Sequence, residues 1–143
     1  MAGVDVEAVH ARIVASVVRH ARDAAPEECC GILLGRHGEH ATSILDTHRA
    51  KNVADRRDVR FTIDPADHFE AIRDARRRGL EVVGFYHSHP RSPARPSETD
   101  RAEAAYPGQL CLIVGLKEEP PEVRLFRVVD GNFLPVALVT APG

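Results

Sequence analysis

The sequence predicts an α/β (α+β) domain, with a mixed, largely antiparallel sheet and helices packed on it. Three observations predict it. Continuous apolar runs at 29–35, 80–86 and 110–116 have the length and the β-branched content of buried strands. Two segments, 5–24 and 64–78, carry apolar residues at helical spacing. Turn residues then divide the chain into helix, hairpin, helix, strand, short helix and three closing strands.

Residues 5–24 read as an amphipathic helix with Val6, Val9, Ile13, Val14, Val17, Val18 and Ala21 on one stripe and Asp5 as N-cap. Pro26 ends it. Cys29 to Gly35 is a strand deep in the sheet, and Gly38 marks the turn to its antiparallel partner, Ala41 to His48. Residues 49–60 are polar and irregular, which predicts a surface loop. Asp64-Pro65-Ala66-Asp67 is a helix start: a capping Asp, proline at the first helical position and acid in the first turn. That helix should turn Phe69, Ile72 and Ala75 inward and stop at Gly79, after the cations Arg76, Arg77 and Arg78 that suit its C-terminal dipole.

Leu80 to Tyr86 is the next buried strand. Pro90, Pro93 and Pro96 make 90–96 a stiff loop, and 98–105 a short helix ended by Pro107-Gly108. Leu110 to Leu116 is again a buried strand. Glu122 to Val129 alternates as a half-exposed strand, Asp130-Gly131-Asn132 is a hairpin turn, and Phe133 to Val139 closes the sheet, with Pro135 predicting an edge.

At 143 residues, 43% hydrophobic and 28% charged, the chain suits one globular domain spanning 1–143. A net charge of -2 makes no case for nucleic acid or a membrane surface as partner. No apolar run approaches the roughly 18 residues that span a bilayer. The N-terminal residues lack the basic and apolar regions of a signal peptide, so a cytoplasmic location is expected. Three cysteines, Cys29, Cys30 and Cys111, are an odd number with no Cys-x-x-Cys, and read as buried thiols.

The chemistry concentrates in Gly84-Phe85-Tyr86-His87-Ser88-His89-Pro90 and in Ser97-Glu98-Thr99-Asp100. Residues two apart in an extended chain point to one side, so His87 and His89 can face one ion. Ser97 is a helix N-cap, and Asp100 falls in the first turn, aimed back at the histidines. Two imidazoles and one carboxylate are a common ligand set for a catalytic Zn2+, which keeps a fourth position for water.

This pattern resembles the JAMM (MPN-plus) zinc metalloprotease family, whose signature is a distant Glu, then His-Ser/Thr-His-Pro, then Ser-x-x-Asp. The distant Glu has a match in Glu27-Glu28-Cys29-Cys30-Gly31, where Glu28 takes the register and Glu27 does not. Asn52 and Phe61 also look similar to family features. The resemblance implies a three-layer, cytidine-deaminase-like sandwich, with Glu28 and its neighbouring strand end meeting the histidines. It implies His87, His89 and Asp100 as zinc ligands, Glu28 as general acid/base and Ser97 as oxyanion donor, with Ser88 as a structural hydrogen-bonding residue.

The implied reaction is hydrolysis of a peptide or isopeptide bond after the C-terminal Gly-Gly tail of a ubiquitin-like or sulfur-carrier protein. The compact length resembles prokaryotic members that release cysteine from a carrier in cysteine biosynthesis. The rival readings are a non-catalytic MPN-type scaffold and a deubiquitinase-like isopeptidase with another substrate. A zinc nucleoside deaminase is disfavoured, because its His-x-Glu and Pro-Cys-x-x-Cys pattern is absent.

Overall fold

The computed structural model describes residues 6–39, 41–102 and 108–141. Along them run β1 (Val6–His10), α1 (Ala11–Ala24), β2 (Cys30–His37), β3 (Thr42–Ala50), α2 (Pro65–Arg77), β4 (Glu81–His89), α3 (Glu98–Ala102), β5 (Leu110–Gly115), β6 (Glu122–Val129) and β7 (Asn132–Ala141). The mixed sheet with flanking helices is as expected. Its strand order is β1-β3-β2-β4-β5-β6-β7, and it closes on itself through β1 and β7. A closed seven-stranded ring is found, and not specifically the three-layer, cytidine-deaminase-like sandwich that the resemblance implied.

The difference lies at the N-terminus. Residues 6–10 are not the first turns of a helix but a strand, paired in parallel with β7 from Val6↔Ala137 to His10↔Ala141. The same strand touches β3 at Val9↔Ile44. Non-local pairing outweighs helical spacing here: Val6 and Val9 suit a strand as well as a helix, and β7 supplies the backbone partners. α1 therefore begins at Ala11, after His10, and buries Ile13, Val17 and Ala21 at four-residue intervals. The capping role expected for Asp5 lies outside the described residues.

The helices cover opposite faces of the sheet. α1 packs with Leu33, Val83, Tyr86, Leu110, Leu112 and Val114. α2 packs with Cys30, Ile32, Leu34 and Phe85, the alternate residues of β2 and β4. Asp64 caps α2 as predicted, its Oδ1 accepting from Ala66 N at 3.0 Å. Gly79, with φ +68, ends the turn that follows.

Three further expectations are corrected. α2 buries Ala71 and Ala75, while Phe69 and Ile72 stand 59% and 38% exposed. The two alanines let the helix approach the sheet closely, which turns the bulkier pair to solvent. β6 is covered on both sides: Leu125 faces the α1 core, and Phe126 and Val128 form a cluster with Ala94, Cys111 and Ile113. β7 is no edge beyond Ala137, since it pairs with β1; Pro135 lies before that pairing begins, opposite Phe126 of β6.

The expected helix over 98–105 is described only as far as Ala102, the rest lying outside the described residues. Among the described residues no helix is long and apolar enough to cross a membrane.

Candidate metal centre

β4 runs to His89, past the end at Tyr86 that the apolar run suggested. Phe85, His87 and His89 therefore alternate onto the face that α2 covers, and strand geometry makes the two imidazoles neighbours. β2 pairs antiparallel with β4, with Cys30 opposite His87. This register carries Glu28, just before β2, alongside the histidines. Ser88 faces the other way and seals the junction: its Oγ accepts from Cys29 N at 2.8 Å, and its own N–H donates to Cys29 O at 3.2 Å. Ser88 thus has the structural role expected of it.

The proline loop brings in the remaining carboxylate. Ala94 N donates to Glu122 Oε1 at 2.9 Å, and Leu116 N donates to His89 O at 3.0 Å. Gly115 lets the loop dock, since a Cβ there would stand 2.5 Å from Ala94 N. Ser97 and Asp100 then form a reciprocal cap: Asp100 N donates to Ser97 Oγ at 3.0 Å, and Ser97 N donates to Asp100 Oδ2 at 2.9 Å. The cap aims the aspartate. The same Oδ2 lies 3.1 Å from His87 Nε2 and 3.1 Å from His89 Nε2, and the two Nε2 atoms are 3.2 Å apart. A Glu28 carboxylate oxygen and one nitrogen of each imidazole all lie within 4.8 Å of one another. The structure brings Glu28, His87, His89 and Asp100 together and leaves Ser97 one hydrogen bond away. Glu28, His87, His89 and Asp100 are all buried.

The donor set fits a divalent cation. His89 Nδ1 lies 2.9 Å from Pro93 O, an atom that can only accept, so that nitrogen carries a proton and, when the ring is neutral, the lone pair is on Nε2. Two imidazole nitrogens and a carboxylate oxygen at mutual contact are an arrangement that positive charge stabilises. The titration behaviour agrees. Burial disfavours the Asp100 carboxylate, yet hydrogen bonds from His87 and His89 outweigh it and hold its pKa far below the usual range. Burial also opposes charge on His89, but the Asp100 and Pro93 hydrogen bonds and the carboxylates of Asp100 and Glu28 prevail and raise its pKa. For His87 burial wins over Asp100, and its pKa falls.

Asn52 and Phe61, singled out in the sequence by resemblance alone, make contacts that composition and spacing did not show. Asn52 makes four hydrogen bonds: Nδ2 donates to Glu28 O and Arg60 O, both at 3.0 Å, and Oδ1 accepts from Ala54 N at 3.0 Å and Thr62 N at 3.1 Å. With Glu28 N donating to Arg57 O at 2.7 Å, the backbone of Glu28 is clamped on both sides. Phe61 stacks on His87, centroids 4.4 Å apart and planes 21° from parallel. Cys111 Sγ lies 3.9 Å from His87 Nδ1. The three cysteines are free and buried as expected, and burial pushes the Cys29 thiol up to about 11 and the Cys30 thiol up to about 12.

Beside His87 and Asp100 opens a cavity of about 410 Å³ lined by Phe61, Ile63, Pro65, Phe85, Leu110 and Phe133 among others. A second cleft, of about 440 Å³, is lined in part by Glu28.

The family described as prokaryotic homologs of the JAB domain matches residues 10–129. Over 102 residues, 68% of this chain and 72% of the relative, the sequence is 38% identical to the desampylase of Haloferax volcanii. Over 124 residues it is 30% identical to the CysO-cysteine peptidase of Mycobacterium tuberculosis, covering 86% of this chain and 83% of that one. A solution structure of a protein from Desulfitobacterium hafniense superposes with a TM-score of 0.88 at 28% identity, over 96% of this chain and 94% of the other.

Proposed function

The chain belongs to the prokaryotic JAB-domain family, and from that premise we propose that it hydrolyses the peptide or isopeptide bond after the C-terminal Gly-Gly tail of a ubiquitin-like or sulfur-carrier protein, with zinc as cofactor. The observation that carries this reading is the contact of His87 Nε2, His89 Nε2 and Asp100 Oδ2 at 3.1 to 3.2 Å, with the Glu28 carboxylate beside them. Relatives named desampylase and CysO-cysteine peptidase support a protein-conjugate substrate.

His87, His89 and Asp100 would hold the ion. Such an ion supplies Lewis-acid polarisation of the carbonyl and acidifies a water molecule. Glu28 then works as general acid/base, taking the water's proton and passing it to the leaving nitrogen. The Asn52 and Arg57 clamp holds its backbone while it does so. Ser97 accepts from Asp100 N, which leaves its hydroxyl proton to donate to the developing oxyanion. A Gly-Gly tail, having no side chains, can lie extended against backbone close to these groups.

We further take residues 1–143 as a single JAMM/MPN-type domain, with α1 and α2 on opposite faces of the sheet in the manner of a deaminase-like sandwich, acting in the cytoplasm. The test is incubation of zinc-loaded protein with a carrier–amino-acid conjugate and with a ubiquitin-type isopeptide, followed by mass spectrometry. Release of a carrier ending in Gly-Gly is expected; both conjugates remaining intact would refute the reading.

A further inference from the structure

Glu28 adjoins two spaces. Its carboxylate meets His87 and His89, and it also walls the second cleft, between the end of α1 and the end of β3. A leaving nitrogen protonated by Glu28 must sit within hydrogen-bond reach of that carboxylate. Its substituent therefore enters the space next to Glu28. The apolar cavity adjoins His87 and Asp100 and is not bounded by Glu28, whereas the second cleft is.

The cleft's lining is polar and offers donors for an anion. Lys51 lines it, and its ammonium has no ion-pair partner among the described residues. The Lys51 backbone is anchored, its N–H donating to Asp67 Oδ2 at 2.8 Å. His20 lines the same cleft, and its Nδ1 is 2.7 Å from the Tyr86 hydroxyl. Burial first, and then the charge of Arg49, lowers the His20 pKa to about 4, so the ring is neutral near pH 7. With the Tyr86 O–H donating to Nδ1, His20 presents Nε2–H as a donor. The other acid in the lining, Glu27, is engaged by Arg57 at 3.2 Å. A cation unpaired among the described residues and a neutral N–H donor make a site suited to a carboxylate.

We propose that this cleft is a carboxylate subsite, in which Lys51 and His20 hold the α-carboxylate of a single amino acid attached to the carrier's C-terminus. The inference rests on the hydrolytic reading above and narrows it: a carrier extended by one amino acid is preferred over an isopeptide to a lysine side chain. Hydrolysis adds water across the amide C–N bond. The carrier regains its terminal carboxyl, and the amino acid leaves with its amine, its own carboxylate unchanged.

The test uses one carrier extended by one amino acid, as the free acid and as the C-terminal amide, with wild type, Lys51→Met and Lys51→Arg. For wild type, kcat/KM for the free acid should exceed that for the amide about tenfold, mainly through KM, which is about 1.4 kcal/mol. Lys51→Met should bring the free acid down to the amide, and Lys51→Arg should keep most of the preference. Equal rates for acid and amide in wild type would overturn the subsite. Calorimetric binding of both forms to Glu28→Gln protein separates the two levels of the argument. An acid preference there, lost on adding Lys51→Met, supports the subsite even if wild type cleaves neither conjugate, an outcome that sinks only the hydrolase reading. Equal binding of acid and amide overturns the subsite whatever the turnover.

Discussion

Asn52→Ala separates the positioning of Glu28 from the chemistry that Glu28 performs. The substitution deletes four hydrogen bonds of 3.0 to 3.1 Å, one of them to the Glu28 carbonyl. At about 1 kcal/mol net apiece, four neutral bonds would sum to about 4 kcal/mol. The bonds to Arg60 and Thr62 are exposed, so water replaces them at little cost; those to Glu28 and Ala54 are partly buried. The expected loss is therefore about 2 kcal/mol, read as a lower urea midpoint at unchanged slope. Turnover should suffer more than stability implies. Freed on one side, the Glu28 backbone can drift, and a displacement of about 1 Å at a reacting group costs on the order of 100-fold. A fall in kcat of tenfold or more, with KM changed less and metal content retained, is the expected outcome of conjugate-cleavage kinetics. A variant with wild-type kcat would refute the clamp, whatever its stability.

Other predictions can be checked on the same preparations. Glu28→Gln should keep its metal by elemental analysis and lose turnover by mass spectrometry, because the amide cannot shuttle a proton. Asp100→Ala should lose the metal as well as the activity, since Oδ2 is common to both histidine contacts. Phe61→Ala removes the ring stacked on His87 and should weaken metal affinity about fivefold in a chelator competition, in line with about 1 kcal/mol for such a contact. His20 has a folded-state pKa of about 4 against 6.5 unfolded, so only the unfolded chain takes up its proton between those values. The His20 contribution is thus present above about pH 6.5 and is lost as pH falls toward about 4. Urea unfolding across this window should show a smaller decline for His20→Gln than for wild type.

What the sequence revealed was mostly local. The His87–His89 pairing follows from the two-residue period of a strand, and the Ser97–Asp100 cap from helix-start chemistry, so both were readable without knowing the fold. The capped start of α2 at Asp64 belongs to the same class. Glu28 was located through a motif rather than through physics, because its approach to the histidines depends on the β2–β4 register, set across many intervening residues. Features that depend on distant partners were misread or missed. β1 is a strand because β7, at the other end of the described chain, offers it backbone partners. The buried face of α2 is decided by how closely Ala71 and Ala75 let it approach the sheet, so hydrophobicity alone pointed to Phe69 and Ile72. Asn52 sits in a polar loop whose composition says nothing of a bond to a carbonyl 24 residues earlier.

Anomalous diffraction from a zinc-soaked crystal, recorded on either side of the zinc edge, tests the account's core most directly. One peak is predicted, bonded by His87 Nε2, His89 Nε2 and Asp100 Oδ2, with the Glu28 carboxylate nearby but not a ligand. A peak ligated by Glu28 in place of Asp100, or no peak among these four side chains, would contradict it.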